Sequence, residues 1–376
     1  MLRTNVLVIG GGPAGSIASR FLASNKIDTI LIDRDFSYIK PCGGGIPYAA
    51  FCELDIPLTT AAKEIHKIIV VSPNGERIEV ALKGGLLCLV KRGDFDKTLR
   101  ELSAGQGVRL LEAEFIRFEK TGKNIISLIR QKNTKEEIKI KSDYVIASDG
   151  ITSRTASSLG IQKTPSIYTI STHINPLLSL AKGGDDACEF WFGSEHADNF
   201  YSWVFPFHTH FSVGTGSPDP KKLSALLDRF MIRRFNAPIK NVKEKARAFK
   251  IPLWNKKIFN IENILFAGDS AGMVMPVTYE GIYYAMKSGE FAAKAIIEQK
   301  PSAYKKLWNS RFKTRFILMN KIKNHLFKND ENIEKFVLLH KRPDVQEIAM
   351  RLWLSKETGA GSLISYLKIL SRLLRF

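Results

Sequence analysis

Val6-Leu7-Val8-Ile9-Gly10-Gly11-Gly12-Pro13-Ala14-Gly15 is followed, after a helical stretch, by Ile30-Leu31-Ile32-Asp33. The apolar runs and the glycines between them predict a strand, a tight turn, a helix and a second strand ending in an acid. That order predicts an α/β fold with a Rossmann-like β-α-β unit at its start.

Each residue type in the unit has a mechanical role. Gly10 permits the turn, Gly12 lets a pyrophosphate approach the backbone, and Gly15 lets helix and strand pack closely. The helix N-terminus presents free N–H groups and partial positive charge to the phosphates. Asp33 lies near the separation, roughly 20 residues, of the acid that holds an adenosine ribose hydroxyl. A 2′-phosphate would be repelled there, so the expected nucleotide is FAD or NAD. A glycine pattern alone is a weak signal, because glycine-rich turns are common. Here both strands, the helix and the acid accompany it.

The chain of 376 residues is long enough for two connected domains, and 44% hydrophobic with 25% charged residues is a globular composition. Cys42, Cys52, Cys88 and Cys188 are the four cysteines. They form no CxxC pair, which suggests neither a metal site nor a disulfide framework. The first strand starts within a few residues of Met1, leaving no room for a secretory leader before it, and no apolar run approaches a membrane span. A cytoplasmic setting is therefore expected.

A formal net charge of +19 calls for an acidic partner. Lys305, Lys306, Arg311, Lys313, Arg315, Lys321 and Lys323 are dense in a segment that reads as helical. Further on, Ser365, Lys368, Arg372 and Arg375 recur at helical spacing among Leu363, Ile364, Leu367, Leu370 and Leu374. Two readings stand for that last stretch: a helix docked on the protein's own core, or a basic amphipathic helix in peripheral contact with the anionic inner face of a membrane. No nucleic-acid-binding signature accompanies the charge, so nucleic acid is not an expected partner.

Ile68–Val71 and Ile78–Val80 read as strands joined by Pro73-Asn74-Gly75. Leu86–Val90 reads as a strand leading into a helix. Residues 110–118, 124–130 and 136–140 suggest a three-stranded meander, after which Tyr144-Val145-Ile146-Ala147 re-enters as a buried strand. From about 164 to 252 the chain turns aromatic and β-like, and Ile264–Asp269 returns to the buried-strand type before a helix from about 280 to 299. The expected domains are thus 1–60, 85–163 and 255–300 for a discontinuous nucleotide-binding domain, 61–84 and 164–254 for an antiparallel-sheet substrate domain, and 301–376 for a basic helical C-terminal region.

In order and over most of the chain these pieces resemble the flavoprotein oxidoreductases of the p-hydroxybenzoate hydroxylase fold. The match rests on the glycine turn with Asp33, on Arg92, Phe95 and Asp96 in an RxxFD element, on Asp149-Gly150, and on Gly268-Asp269. Within that group the chain is most similar to the geranylgeranyl reductases. Lys40-Pro41-Cys42-Gly43-Gly44-Gly45-Ile46-Pro47, Tyr201-x-Trp203-x-Phe205-Pro206, and Gly268–Gly272 continuing through Pro276 to Glu280–Ala285 carry this narrower likeness, which covers roughly residues 1–300. The resemblance implies FAD as cofactor. Its candidate binding residues are Gly10, Gly12, Pro13, Ala14, Gly15, Asp33, Arg34, Cys42, Gly43, Gly44, Arg92, Asp149, Gly268, Asp269, Gly281 and Ile282. Tyr201, Trp203, Phe205 and Pro206 are the candidate substrate pocket, the three aromatics standing at alternate positions of a strand and so on one face. Two departures bear on the substrate: Phe207 stands where family members often carry Lys, and Tyr279 where they often carry Gly.

The implied reaction is reduction of an isoprenoid or polyprenyl C=C bond, with hydride from flavin N5 to one carbon and a proton to the other. An isolated alkene has no carbonyl to stabilise charge, so catalysis leans on holding the bond about 3 to 3.5 Å from N5 in a dry pocket. Candidate proton donors are Cys42, Tyr279, Tyr283 and a bound water. NADPH or a reduced ferredoxin is the expected electron donor. The rivals are a monooxygenase or halogenase of the same fold, and a non-catalytic flavin-bound protein. Among isoprenoids, a chlorophyll precursor, geranylgeranyl diphosphate, an ether lipid and a quinone tail all remain open.

Overall fold

Leu2–Ile9 forms β1, whose inner residues Val6, Leu7 and Val8 are buried completely. Such a run, apolar on both faces, belongs to the middle of a parallel sheet. The computed structural model describes residues 1–162, 164–175, 186–238, 245–254, 259–354, 356 and 364. It divides into two units, the first made of Met1–Ile39, Gly93–Pro165 and Ile251–Lys313, the second of Lys40–Arg92, Ser166–Lys250 and Thr314–Phe376.

In the first unit β1 pairs in parallel with β2 (Thr29–Asp33) on one side and β10 (Glu137–Ala147) on the other. β8 (Arg109–Lys120) extends the sheet beside β2 and β17 (Ile264–Phe266) beside β10, both parallel, with β16 (Asn260–Ile261) antiparallel at the edge. β9 (Ile125–Gln131) runs antiparallel to both β8 and β10. The expected meander and the re-entering strand are therefore one continuous element: β10 pairs with β9 through Glu137–Ser142 and with β1 from Ile140 to Ala147.

α1 (Pro13–Ser24) connects β1 to β2, and α6 (Ile282–Ile297) packs against it. A Cβ on Gly289 of α6 would stand 2.1 Å from the carbonyl oxygen of Ala14. The two helices thus meet backbone to backbone. α3 (Arg92–Ala104), α4 (Arg154–Ser158) and α7 (Ala303–Trp308) complete this layer, followed by one wider helical turn at Asn309–Lys313. Tyr304 of α7 donates its hydroxyl to Phe266 O at 2.7 Å, which joins residues 301–313 to the nucleotide-binding sheet.

The second unit has a sheet ordered β15 (Arg247–Pro252), β11 (Ser166–Ile174), β14 (Phe211–Ser217), β13 (Ser202–Pro206), β12 (Ala187–Trp191), β5 (Lys67–Val71) and β6 (Arg77–Ala81). The 68–80 hairpin is as expected from its turn residues. One face packs on α5 (Leu223–Phe235) through Ile69, Val71, Val204, Val213, Leu227 and Phe230. A buried ion pair fixes α5 there, with Arg234 donating to both oxygens of Glu189 at 2.7 and 2.8 Å and Trp191 Nε1 donating to the same carboxylate at 2.6 Å. With Arg77 Nη2 of β6 also donating at 3.4 Å, four hydrogen bonds to one buried carboxylate offset its desolvation.

A smaller sheet orders β3 (Gly45–Pro47), β7 (Leu87–Leu89) and β4 (Lys63–Ile65), with α2 (Tyr48–Glu53) after β3. Residues 40–60 and 85–92 accordingly group with the β-rich unit, not with the nucleotide-binding one as the sequence boundaries had it. Nor do residues beyond 300 stand apart. α8 (Thr314–Leu326), α9 (Asp330–Leu339) and α10 (Pro343–Trp353) belong to the second unit. Asp330 accepts from Ser194 N at 3.0 Å and Ser194 Oγ at 2.7 Å, and Glu334 accepts from Asn74 N at 3.0 Å. The basic stretch 365–376 lies outside the described residues. No helix among the described residues is long and apolar enough to cross a membrane.

The α1–α6 contact leaves no space for a side chain, so Gly289→Ala is expected to destabilise the protein by about 1–3 kcal/mol, the usual cost of overpacking. Guanidinium denaturation against the wild type measures it.

Candidate functional site

The turn after β1 is held from every side. Gly10 has φ +103°, and a Cβ there would lie 2.3 Å from Ser148 O, so only glycine fits. Ser148 Oγ donates to the carbonyls of Ile9 and Gly10, both at 2.9 Å. The Gly11 N–H donates to Asp33 Oδ2 at 2.7 Å, while Gly11 O accepts from Arg100 Nη1 and Ser16 Oγ, each at 3.2 Å. Arg100 also donates to Phe36 O at 2.8 Å and lies over the Phe36 ring. The turn's carbonyls are thus tied back into the protein.

Gly12 and Gly15 separate two functions. A Cβ on Gly15 would stand 2.0 Å from Gly10 O, so this glycine serves packing of turn and helix. A Cβ on Gly12 would meet nothing within 4 Å. Gly12 is the N-cap of α1, which begins with Pro13 and Ala14 and has neither a side-chain cap nor an acid in its first turn. Open space over uncapped N–H groups is the surface that an anionic pyrophosphate requires.

α6 starts in the same way, with Gly281 as N-cap, Ile282 as first residue, no side-chain cap and no acid in its first turn. Gly268 has Ala14 Cβ 3.1 Å and Ala285 Cβ 3.3 Å from where its own Cβ would be, so the first turn of each helix abuts it. Asp269 Oδ1 lies 3.7 Å from the Cβ position of Gly281. Gly10, Gly12, Pro13, Ala14, Gly15, Asp33, Gly268, Asp269, Gly281 and Ile282 are all in the first unit and are brought together around the starts of α1 and α6. These residues fit a dinucleotide such as FAD.

Other candidates take different places. Asp149 accepts from Ser153 Oγ at 2.6 Å and from Thr155 N and Oγ1 at 2.9 Å, so its carboxylate closes the turn into α4. Burial pushes its pKa up against those bonds. Arg34 is exposed and turned over the Tyr38 ring. Tyr283 is fully buried, and its hydroxyl accepts from Arg311 Nη2 at 3.2 Å, in the packing of α6 on the 309–313 turn. Tyr279 is buried in the loop before α6 with φ +51°, and Val277 has φ +75°. Glycine would occupy either angle freely, whereas a β-branched residue there is strained. Burial raises the Tyr279 hydroxyl well above the ordinary tyrosine range.

In the second unit Trp203 and Phe205 share a sheet face with Phe190, which sits opposite Trp203 in the β12–β13 register. Phe190 meets Tyr201 and Phe205, both at 5.3 Å between ring centres. Pro206 ends β13. The Trp203 ring lies against Gly214, whose Cβ would be 2.3 Å from it. The expected alternation therefore holds within β13 for Trp203 and Phe205, with Val204 on the α5 side, while Tyr201 immediately precedes the strand. The Cys42–Gly44 loop covers the Phe205 end: a Cβ on Gly43 would be 2.8 Å from the Phe205 ring, and one on Gly44 2.5 Å from Val90 O. Cys42 Sγ accepts from Gly44 N at 3.3 Å. The planar ring nearest to Gly43 in the structure is Phe205, and the one nearest to Gly44 is Phe207, 3.2 Å from its Cβ position. Phe207 stacks on His210, which contacts His173 at 4.1 Å. Arg92 is buried at the first position of α3.

Arg100, Phe36, Ser148, Gly214 and Gly289 escaped sequence reasoning. The signal available for the glycines was their occurrence inside a strand and a helix, where they mark close approach.

A largely parallel sheet, a pinned glycine turn and two helix starts with glycine at the N-cap define a dinucleotide-binding protein. A family model described as FAD binding domain matches residues 3–45 and 55–299, and the chain belongs to that family. It is 28% identical over 376 aligned residues to a geranylgeranyl diphosphate reductase of Rhodobacter capsulatus, spanning 98% of this chain and 96% of the relative. It is 29% identical to a digeranylgeranylglycerophospholipid reductase of Methanocaldococcus jannaschii, over 82% of each. A solved geranylgeranyl bacteriochlorophyll reductase-like protein of Thermoplasma acidophilum superposes with a TM-score of 0.83 at 23% identity, over 99% of this chain and 100% of that one, which shows a shared fold.

Gly12→Ala is expected to leave the melting temperature of FAD-free protein unchanged and to weaken FAD binding, whereas Gly15→Ala lowers the melting temperature itself. Flavin absorbance and thermal denaturation separate the two. A pH effect also follows. Burial lowers His196 to about 3 and His210 to about 4, from 6.5. The unfolded chain then binds more protons below about pH 6.5, so stability falls as pH drops from there towards 4. Denaturation midpoints at pH 7, 5.5 and 4.5 should decline, and His210→Gln should flatten the slope.

Proposed function

We propose that this protein is an FAD-dependent oxidoreductase that saturates C=C bonds of an isoprenoid chain. The observation that carries the reading is the aromatic sheet face of Phe190, Tyr201, Trp203 and Phe205 in a chain whose first unit is built to take a dinucleotide. Similarity to two prenyl-chain reductases over most of the chain supports it. FAD, when bound and reduced, supplies hydride chemistry at N5.

The chain's own residues do the rest. The Gly12 position and the N-terminal turns of α1 and α6 receive the negative groups of the cofactor. Asp33, fixed by Gly11 N–H and by Asp35 N at 3.0 Å, keeps lone pairs for the adenosine ribose. Cys42, Gly43, Gly44 and Arg92 remain proposed cofactor contacts. The aromatic face excludes water and orients an apolar chain without polar competition. Tyr279, held neutral by burial, and Cys42 are the proposed holders of the proton for the second carbon. Tyr283 is less suited, because its side chain is fully buried in the packing of α6 on the 309–313 turn. NADPH or a reduced ferredoxin is the proposed electron source, and residues 363–376 the proposed contact with anionic lipid.

Anaerobic incubation of chemically reduced enzyme with geranylgeranyl diphosphate tests the reaction, read by mass spectrometry as a gain of two hydrogens per bond. An untouched alkene, together with oxygenated or halogenated product under air and NAD(P)H, would establish the monooxygenase or halogenase reading instead. In the same assay Trp203→Ala is expected to raise the KM at least tenfold through lost apolar contact, with flavin content retained.

A further inference from the structure

We infer that Trp353, at the end of α10, is a specificity-determining residue of the isoprenoid site, and that its indole N–H binds an oxygen at the head of the prenyl chain. The inference rests on the isoprenoid reading and gives it a polar terminus. Three observations within the second unit carry it.

The first is placement. The Trp353 ring meets Phe190 edge to face, with centres 5.9 Å apart and planes at 85°. Phe190 in turn touches Tyr201 and Phe205, so the C-terminal helices extend the aromatic face proposed to hold the chain. Phe192, two residues along from Phe190, likewise meets Phe327 of the segment after α8 at 6.4 Å and Phe336 of α9 at 6.2 Å.

The second is fixation. Leu354, next to Trp353, sits with its Cβ 3.3 Å from the Cβ position of Gly85. Gln346 of α10 donates to His340 O at 2.7 Å, and Lys341 reaches Glu76 at 2.8 Å across to β6 and its turn. α10 is thereby held on the sheet, and its last turn has a defined place.

The third is chemistry. Trp353 Nε1 is buried and has no hydrogen-bond partner among the described residues. The other indole of this face, Trp203, has one, in Ser212 Oγ at 3.4 Å. A buried donor left unmade is costly, and among aromatic rings its natural complement is an acceptor that arrives with the ligand. A polyprenyl chain offers an acceptor only where it ends in an alcohol, ether, ester or phosphate oxygen. The indole N–H therefore selects the oxygen-bearing end, and the rings accommodate the rest.

The test uses FAD-loaded protein and two probes: geranylgeranyl diphosphate, and the tetraene hydrocarbon of the same chain that lacks the oxygen at C1. In Trp353→Phe a six-membered aromatic ring is kept, and the pyrrole ring with its N–H donor goes. Calorimetry is expected to show the diphosphate bound about tenfold more weakly and the hydrocarbon bound within twofold of wild type. Without prenyl ligand the variant should melt within about 2 °C of wild type, because no hydrogen bond among the described residues is lost. Unchanged affinity for both probes overturns the inference. So does a melting temperature lowered by more than about 4 °C, which would mean that the indole serves the protein's own structure. Failure of the wild type to bind either probe overturns the isoprenoid reading, and this inference with it.

Discussion

The nucleotide-binding unit depends on a contact that admits no side chain. Where α6 crosses α1, Gly289 lies on the backbone of Ala14, and Gly268 fits between Ala14 and Ala285. The starts of two helices are thereby brought to one place, each with glycine at its N-cap and no acid in its own first turn. An ordinary helix would satisfy its first N–H groups with Ser, Thr, Asp or Asn at its N-cap. Here glycine stands at both N-caps, so no cap side chain competes there with an anion.

The second unit solves a different problem, that of keeping an aromatic surface in order. Its sheet has one face committed to α5, secured by the buried Glu189–Arg234 pair, which leaves the opposite face to Phe190, Trp203 and Phe205. Large rings on adjacent strands would crowd one another. Gly214 relieves this by leaving room for the Trp203 ring, and Gly216 does the same for Phe200, whose ring lies 2.6 Å from where a Cβ would be. Rotamers locked by packing hold a site more closely than side chains on loops.

What could be read from the sequence follows how local its cause is. The β-α-β unit, the distinct tasks of Gly12 and Gly15, and the alternation of Tyr201, Trp203 and Phe205 are settled by neighbours within a few positions. Arg100 acts on Gly11 from 89 residues away. Ser148 holds Gly10 from 138. No local pattern marks either one. The meander was legible but its last strand was cut in two, because a polar first half and an apolar second half look like different elements until β9 and β1 are seen to share them. The DG element was legible as a motif, yet its carboxylate is taken by Ser153 and Thr155. The docking of α9 and α10 on the sheet rests on Asp330, Glu334 and Lys341, which in sequence are ordinary surface charges.

The chain order of the nucleotide-binding sheet also governs how the protein is made. β1 lies between β2 and β10, and its helix α1 is covered by α6, so elements from the first thirty residues wait for partners encoded more than a hundred and then more than two hundred and fifty residues later. Translation at about 5–20 residues per second leaves α1's apolar side without its cover for roughly a quarter of a minute or longer while the ribosome works on. During that interval the nascent chain is a natural client for chaperones.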